Sequence, residues 1–78
     1  MARGWRSLER RSVIVSLIGG QQALEGILWA TSGDLLLLRH AQMLEPGRDA
    51  RPMDGEVAVE RTRIEFVQVL SNGNGHLP

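Results

Sequence analysis

The stretch Val13–Leu38, VIVSLIGGQQALEGILWATSGDLLLL, sets three short apolar runs between two glycine-marked turns. Val13, Val15 and Leu17 recur at period two, Gly19-Gly20 interrupts, and Leu24, Gly26, Leu28 and Ala30 resume the same period. That alternation belongs to strands with one face on a core. Gly26 inside the second run implies a sharp bend or a close backbone approach, which a small curled sheet needs and a flat one does not. Thr31-Ser32-Gly33-Asp34 reads as a tight turn by composition. The four leucines that follow fit a buried strand or a helix, and the tight turn before them favours a strand over Leu35–Leu44.

Working outward, Ser12–Ile18 is the first strand and Ala23–Ala30 the second. Pro46–Gly55, PGRDARPMDG, combines two Pro and two Gly with four charges and reads as a variable loop without a regular element. Glu56–Arg61 and Ile64–Leu70 alternate again, separated by a joint at Thr62-Arg63. Upstream, Trp5 and Leu8 lie three apart, so a short helix over residues 2–11 would carry them on one face, with the arginines elsewhere. Such a helix is too short to persist alone, so Trp5 and Leu8 dock it on the sheet; stacking of a base on Trp5 is the other reading. Ser71–Pro78, SNGNGHLP, has too little apolar surface to fold and reads as a flexible tail, with His76 solvent-exposed. One domain over residues 1–70 and a tail over 71–78 follow.

Seventy-eight residues bury only roughly 60% of their unfolded surface, so self-association is an expected source of stability. There is no cysteine, hence no disulfide framework and no thiolate metal site. His40 has no second ligand at a coordinating spacing, and no metal or other cofactor is expected. No run of about 18 apolar residues is present and the N-terminal segment lacks a signal-peptide core, so a soluble, cytoplasmic protein without membrane contact is expected. The serines stand at no suggestive distance from a His or an acid, and Gly19-Gly20 is not followed by the helix a phosphate-binding loop requires, so no enzyme is expected.

Charge is balanced, nine basic residues against nine acidic, and all nine bases are Arg. Residues 1–12 hold Arg3, Arg6, Arg10 and Arg11 against Glu9 alone, a net of about +3. An all-Arg set suits planar recognition of phosphate or carboxylate; a GC-rich coding sequence would produce it as well.

A helix, five short strands, a glycine bend in the second strand and a loop between the third and fourth make the chain resemble the Sm-like family, the Sm, LSm and Hfq proteins, over Trp5–Leu70. Its first motif is matched by Val13-Ile14-Val15-Ser16-Leu17, Gly20, Gly26-Ile27-Leu28 and Leu36-Leu37-Leu38 before Ala41. The second is matched by Val57-Ala58-Val59-Glu60-Arg61-Thr62-Arg63-Ile64-Glu65-Phe66-Val67. The resemblance implies a mostly β fold, a short N-terminal helix followed by a strongly bent, five-stranded antiparallel SH3-like barrel. It also implies a cyclic homo-oligomer in which the fourth strand of one subunit pairs with the fifth of the next, and such closure removes exposed strand edges. Val57, Val59, Phe66, Val67 and Val69 would supply the apolar part of that interface.

Family members that bind uridine-rich RNA use an aromatic and an Asn after the second strand and an Arg-Gly in the second motif. Here Thr31-Ser32-Gly33-Asp34-Leu35 offers neither aromatic nor Asn, Thr62 or Arg61 stands at the Gly, and the Tyr-Lys-His of Hfq is absent. Arg61 and Arg63 remain as nucleic-acid contacts, ringing a central pore, or they pair with Glu60, Glu65 or a neighbour's acids. Asp34 would accept from a base edge in place of the Asn, or simply form its turn. Arg3, Arg6, Arg10 and Arg11 give a second surface whose contacts would be sequence-independent and salt-sensitive. Two functions follow as expectations: a ring binding RNA or other single-stranded nucleic acid through pore and face arginines, or a structural or protein-interaction module of the same fold, such as a phage-encoded or accessory assembly part.

Overall fold

The computed structural model describes residues 7–70 of the chain. Six strands follow in order: β1 Ser12–Leu17, β2 Ala23–Ser32, β3 Leu35–Leu44, β4 Arg51–Pro52, β5 Val57–Glu60 and β6 Ile64–Val69, with a 3-10 turn at Arg61–Arg63 joining the last two. They form one antiparallel, bent sheet in the order β4-β3-β2-β1-β6, with β5 also on β3. The outer edge of β3 is thus divided: Leu35–Leu38 pair with β5, while Gln42 and Met43 pair with β4.

Inward residues face inward residues across each ladder. Val15 lies opposite Leu24, Leu28 opposite Leu38, and Leu36 opposite Val59, all of them buried. Val13 and Ala41 complete this core, and Leu8, Leu17, Met43, Met53, Val57, Ile64, Val67 and Val69 pack around it half-buried. The burial of these side chains is the main force for collapse of so small a chain.

Gly26 meets the expectation of a close approach. A Cβ there would stand 3.0 Å from the Arg39 carbonyl oxygen and 3.1 and 3.2 Å from Cα and Cβ of Ala41. The cause is a bulge in β3: Glu25 pairs with Gln42 and Ile27 with Arg39, leaving His40 and Ala41 opposite Gly26. His40 takes the left-handed conformation, φ 53°, at this point. The extra residue shifts the alternation of β3, so Leu36 and Leu38 point inward before it and Ala41 after it. A second irregularity at Trp29 does the same for β2, placing Leu28 and then Thr31 on the side that faces the core row.

Three expectations are corrected. The helix over residues 2–11 lies partly outside the described residues, and its described part, residues 7–10, is a turn closed by Arg11 N–H on the Leu8 carbonyl, with Arg10 at φ 70°. A residue held in the left-handed region cannot continue a right-handed helix. The turn expected at Thr31–Asp34 contracts to Gly33-Asp34, because Ser32 still pairs with Leu35 and Gly33 accepts φ 58°. The loop Pro46–Gly55 contains a two-residue strand, Arg51–Pro52, and Met53 N–H donates to the Ala41 carbonyl beside it. Glu45 fastens the start of that loop. Its carboxyl is held below the ordinary carboxylate value by the Gln22 side-chain amide and, more weakly, by Arg51 and Arg48.

Gly26→Ala is expected to lower unfolding free energy by about 1–3 kcal/mol, because the added methyl meets backbone on two sides. His40→Gly, which relaxes the left-handed residue of the same bulge, should raise it by up to about 1 kcal/mol. Urea unfolding of the two variants beside the parent checks both signs.

Candidate functional site

The residues of the second motif converge at the β5–β6 joint. The turn Arg61–Arg63 reverses the chain between the two strands and is exposed throughout. It is held between two hairpin tips by backbone bonds. Arg61 N–H donates to the Asp34 carbonyl at 2.7 Å, and Ile18 N–H donates to the Arg63 carbonyl at 2.9 Å. The Arg61 guanidinium also reaches the Gly33 carbonyl at 3.4 Å. The β2–β3 tip, the β1–β2 tip and the joint therefore form one end of the sheet, and Arg61, Arg63 and Asp34 lie there.

Asp34 contributes its backbone carbonyl, while Arg61 is partly engaged in holding the Gly33-Asp34 turn. Arg63 makes no ion pair with Glu60 or Glu65 within the chain, the described ion pairs being Arg39–Glu56 and Arg51–Glu45. Arg63 stands at the rim of a groove of about 390 Å³ whose floor includes Leu17, Leu24, Met43, Met53 and Val57. This groove runs along β5 on the open side of the sheet.

The strand edges beside the joint are the other unusual feature. Among the described residues β5 pairs only with β3 and β6 only with β1, so each leaves one edge of N–H and C=O groups without a strand partner. Of the five residues expected at an interface, Val59 is the most buried. It is 6% exposed and belongs to the core, because Leu36 opposite it is buried, so it offers a neighbour its backbone alone. Val57, Val67 and Val69 are half-buried and pack on the core. Phe66 is different: it is 56% exposed on the outer face of β6, and Ile18 beside the joint is 65% exposed.

The second arginine surface is only partly described. Arg3 and Arg6 lie outside the described residues, and Arg11 is exposed. The Arg10 guanidinium lies over the Trp29 ring, 4.0 Å from its centroid, and Arg39 lies over the same ring at 4.1 Å while pairing with Glu56 at 3.0 Å. Trp29 thus has its ring occupied by cations of its own chain. The segment carrying Arg10 is strapped to β2. Arg10 N–H donates to the Leu28 carbonyl and Leu28 N–H to the Arg11 carbonyl. The Glu9 carboxylate accepts from both N–H and hydroxyl of Thr31. Sequence reasoning missed Trp29 and Arg39 as a pair, although Arg39 lies opposite Ile27, two residues from Trp29. His40 is exposed on the bulge and His76 lies outside the described residues.

No protein-family model and no curated protein matches the sequence. Solved structures do. A chain of the NatC complex bound to Gag peptide and CoA is 30% identical, with 81% of this chain and 86% of that one covered and a TM-score of 0.68. A heptameric archaeal Sm protein is 20% identical over 86% of this chain and 96% of its own, TM-score 0.73. The SmAP1 heptamer of P. aerophilum is likewise 20% identical, with 92% and 99% covered and a TM-score of 0.76. The chain belongs to the Sm-like family.

The tip Ser32-Gly33-Asp34 beside the joint carries no aromatic ring, and its Gly33 and Asp34 carbonyls accept from Arg61. Asp34→Ala should change stability by less than about 0.5 kcal/mol, because its carbonyl survives the substitution. Urea unfolding checks this, and a loss above about 1 kcal/mol would assign the Asp34 carboxylate a structural role instead.

Proposed function

We propose that this Sm-like chain is an assembly subunit whose identical copies join edge to edge, β5 of one to β6 of the next, closing an SH3-like barrel fold into a cyclic homo-oligomer. The ring takes single-stranded RNA or DNA along its joint arginines. The observation that carries this reading is the pair of unpaired strand edges, one on each side of a single joint. An edge of this kind is an aggregation hazard unless it is covered, and head-to-tail closure covers every copy at once. Two archaeal Sm chains of the same fold form heptamers, which supports the same outcome here.

Multiplied around an axis, Arg63 would give a ring of guanidinium groups aimed at phosphates, with Arg61 behind it. Arg10 and Arg11, with Arg3 and Arg6, would add the face contacts. With no free aromatic ring at the tip, binding follows the backbone and is nearly blind to base identity. The chain itself is non-catalytic and acts in the cytoplasm in this reading. No helix among the described residues is long and apolar enough to cross a membrane, which agrees with such a setting.

The likeness to a NatC chain supports a second reading, in which the same edges hold a different protein and no nucleic acid. That likeness, at 30% identity, exceeds the 20% shared with the archaeal rings. Light scattering and a titration separate the two. The first reading expects a mass several times the 8.6 kDa chain. It also expects oligo-uridine and oligo-adenine affinities within about threefold of each other, falling steeply with salt. Arg63→Glu should weaken both oligonucleotides roughly tenfold or more. An oligomer that binds neither at low salt removes the nucleic-acid reading and leaves the protein module.

A further inference from the structure

We infer that the outer face of the sheet carries a docking groove for the segment Ala2–Arg6 of a second copy, with Trp5 seated between Phe66 and Leu44 and the flanking Arg3 and Arg6 beside Glu65 and Glu45. This contact joins a face to an N-terminal segment and uses neither free strand edge, so it stands apart from the ring.

The groove follows from the register. Directly opposed residues of a ladder lie on the same face of a sheet. Phe66 is opposed to Ser16, Ser16 to Ala23 and Ala23 to Leu44, so these four form one row across β6, β1, β2 and β3. The next row, Val67, Val15, Leu24 and Met43, turns toward the core, which puts the first row on the outside. That outer row runs large, small, small, large. Three strand spacings separate its walls by about 14 Å. Between them lies a groove of about 420 Å³, with Pro46 continuing the wall at Leu44. A cleft of this size seats a bulky ring.

The Phe66 wall stands open because β6 is irregular. Ser16 pairs with Phe66 but Leu17 pairs with Ile64, so Glu65 is an extra residue, and it and Phe66 are both exposed. An open ring bordering an apolar depression marks a surface that a partner covers.

Charge selects the occupant. Glu65 and Glu45 line the groove and, among the described residues, no arginine does. Glu65 forms none of the described ion pairs, while Glu45 is shared with Arg51 at 3.8 Å. Phosphates are therefore disfavoured here, and a basic segment with an apolar anchor is favoured. Trp5 is such an anchor, standing in Ala2-Arg3-Gly4-Trp5-Arg6 within the basic start of the chain. Arg3 and Arg6 lie at most about 10 Å apart along the backbone, so with their long side chains they reach both carboxylates. The segment belongs to another copy. Glu9 is held at Thr31, and the four residues back to Trp5 span at most about 14 Å, whereas Ala23 lies about 26 Å from Thr31 along β2.

The probe is a dye-labelled peptide with the sequence of residues 1–7, titrated by fluorescence anisotropy into the full chain carrying Trp5→Ala, so that its own segment does not compete. Saturable binding is expected, and Trp5→Ala in the peptide should weaken it roughly tenfold or more. In the chain, Phe66→Ala should weaken it about tenfold, and Ala23→Met, which fills the floor of the groove, at least as much. Glu65→Arg should weaken it about three- to fivefold. Neither Phe66 nor Ala23 belongs to the buried core, and circular dichroism checks that each variant is folded. No saturable binding at about 1 mM peptide overturns the inference. Equal binding of the peptide lacking Trp5, or binding unchanged in both folded groove variants, overturns it as well. A monomeric parent that still binds the peptide removes the ring and leaves this contact standing.

Discussion

The fold depends on one close approach. Gly26 lets β2 come within van der Waals limits of the β3 backbone at the point where β3 carries an extra residue. Because His40 absorbs that residue in a left-handed conformation, β3 turns without losing its ladder to β2. On one side of the turn β3 offers its outer edge to β5 and on the other to β4. The divided edge of β3 is what brings β5 round to the joint, where Arg61, Arg63 and Asp34 lie.

At that joint the organisation is a matter of backbone more than of side-chain chemistry. The Asp34 and Arg63 carbonyls receive N–H groups from the partner turn or strand end, so the two hairpin tips and the 3-10 turn behave as one piece. The arginines ride on this frame. In the proposed ring their effect would be electrostatic and additive over copies, since base reading would require a ring that the tip does not carry. The one tryptophan among the described residues, Trp29, serves instead to bind the N-terminal strap to the outer face through Arg10, and Arg39 through the same ring.

Much of the architecture was legible in period-two alternation and in glycine positions: β1, β2, β3, β5 and β6 lie where the pattern placed them, and Gly26 signalled the bend. What was hidden has a common cause. An irregularity adds a residue to one strand alone, and composition does not reveal which, so the inward set of β3 changes from Leu36 and Leu38 to Ala41 without any local mark. The same blindness affected Val59, whose burial is set by Leu36 across the ladder, and Phe66, whose exposure follows from Glu65 being the extra residue. The spacing of Trp5 and Leu8 suggested a helix, yet Leu8 reaches the core from a turn, because Arg10 and Arg11 exchange backbone bonds with Leu28. Arg51–Pro52 pairs on the strength of backbone position, in a composition that argues for loop. For the site, residue types were readable and their division of labour was not, since it is decided by carbonyls that have no sequence signature.

β1 lies between β2 and β6, with Val13 flanked by Gly26 on one side and Val69 on the other. The two flanks are acquired at different moments of synthesis. A nascent chain can form the β1–β2–β3 meander early, but β1 waits for its second neighbour until β6, the last of the six strands, has left the ribosome. During that interval the long edge of β1 is open and carries Val13, Ile14 and Val15. Non-local closure of this kind is slow compared with hairpin formation. Speed of release, and the company kept by the nascent chain meanwhile, consequently bear on the yield of this small protein as much as the strength of its finished core.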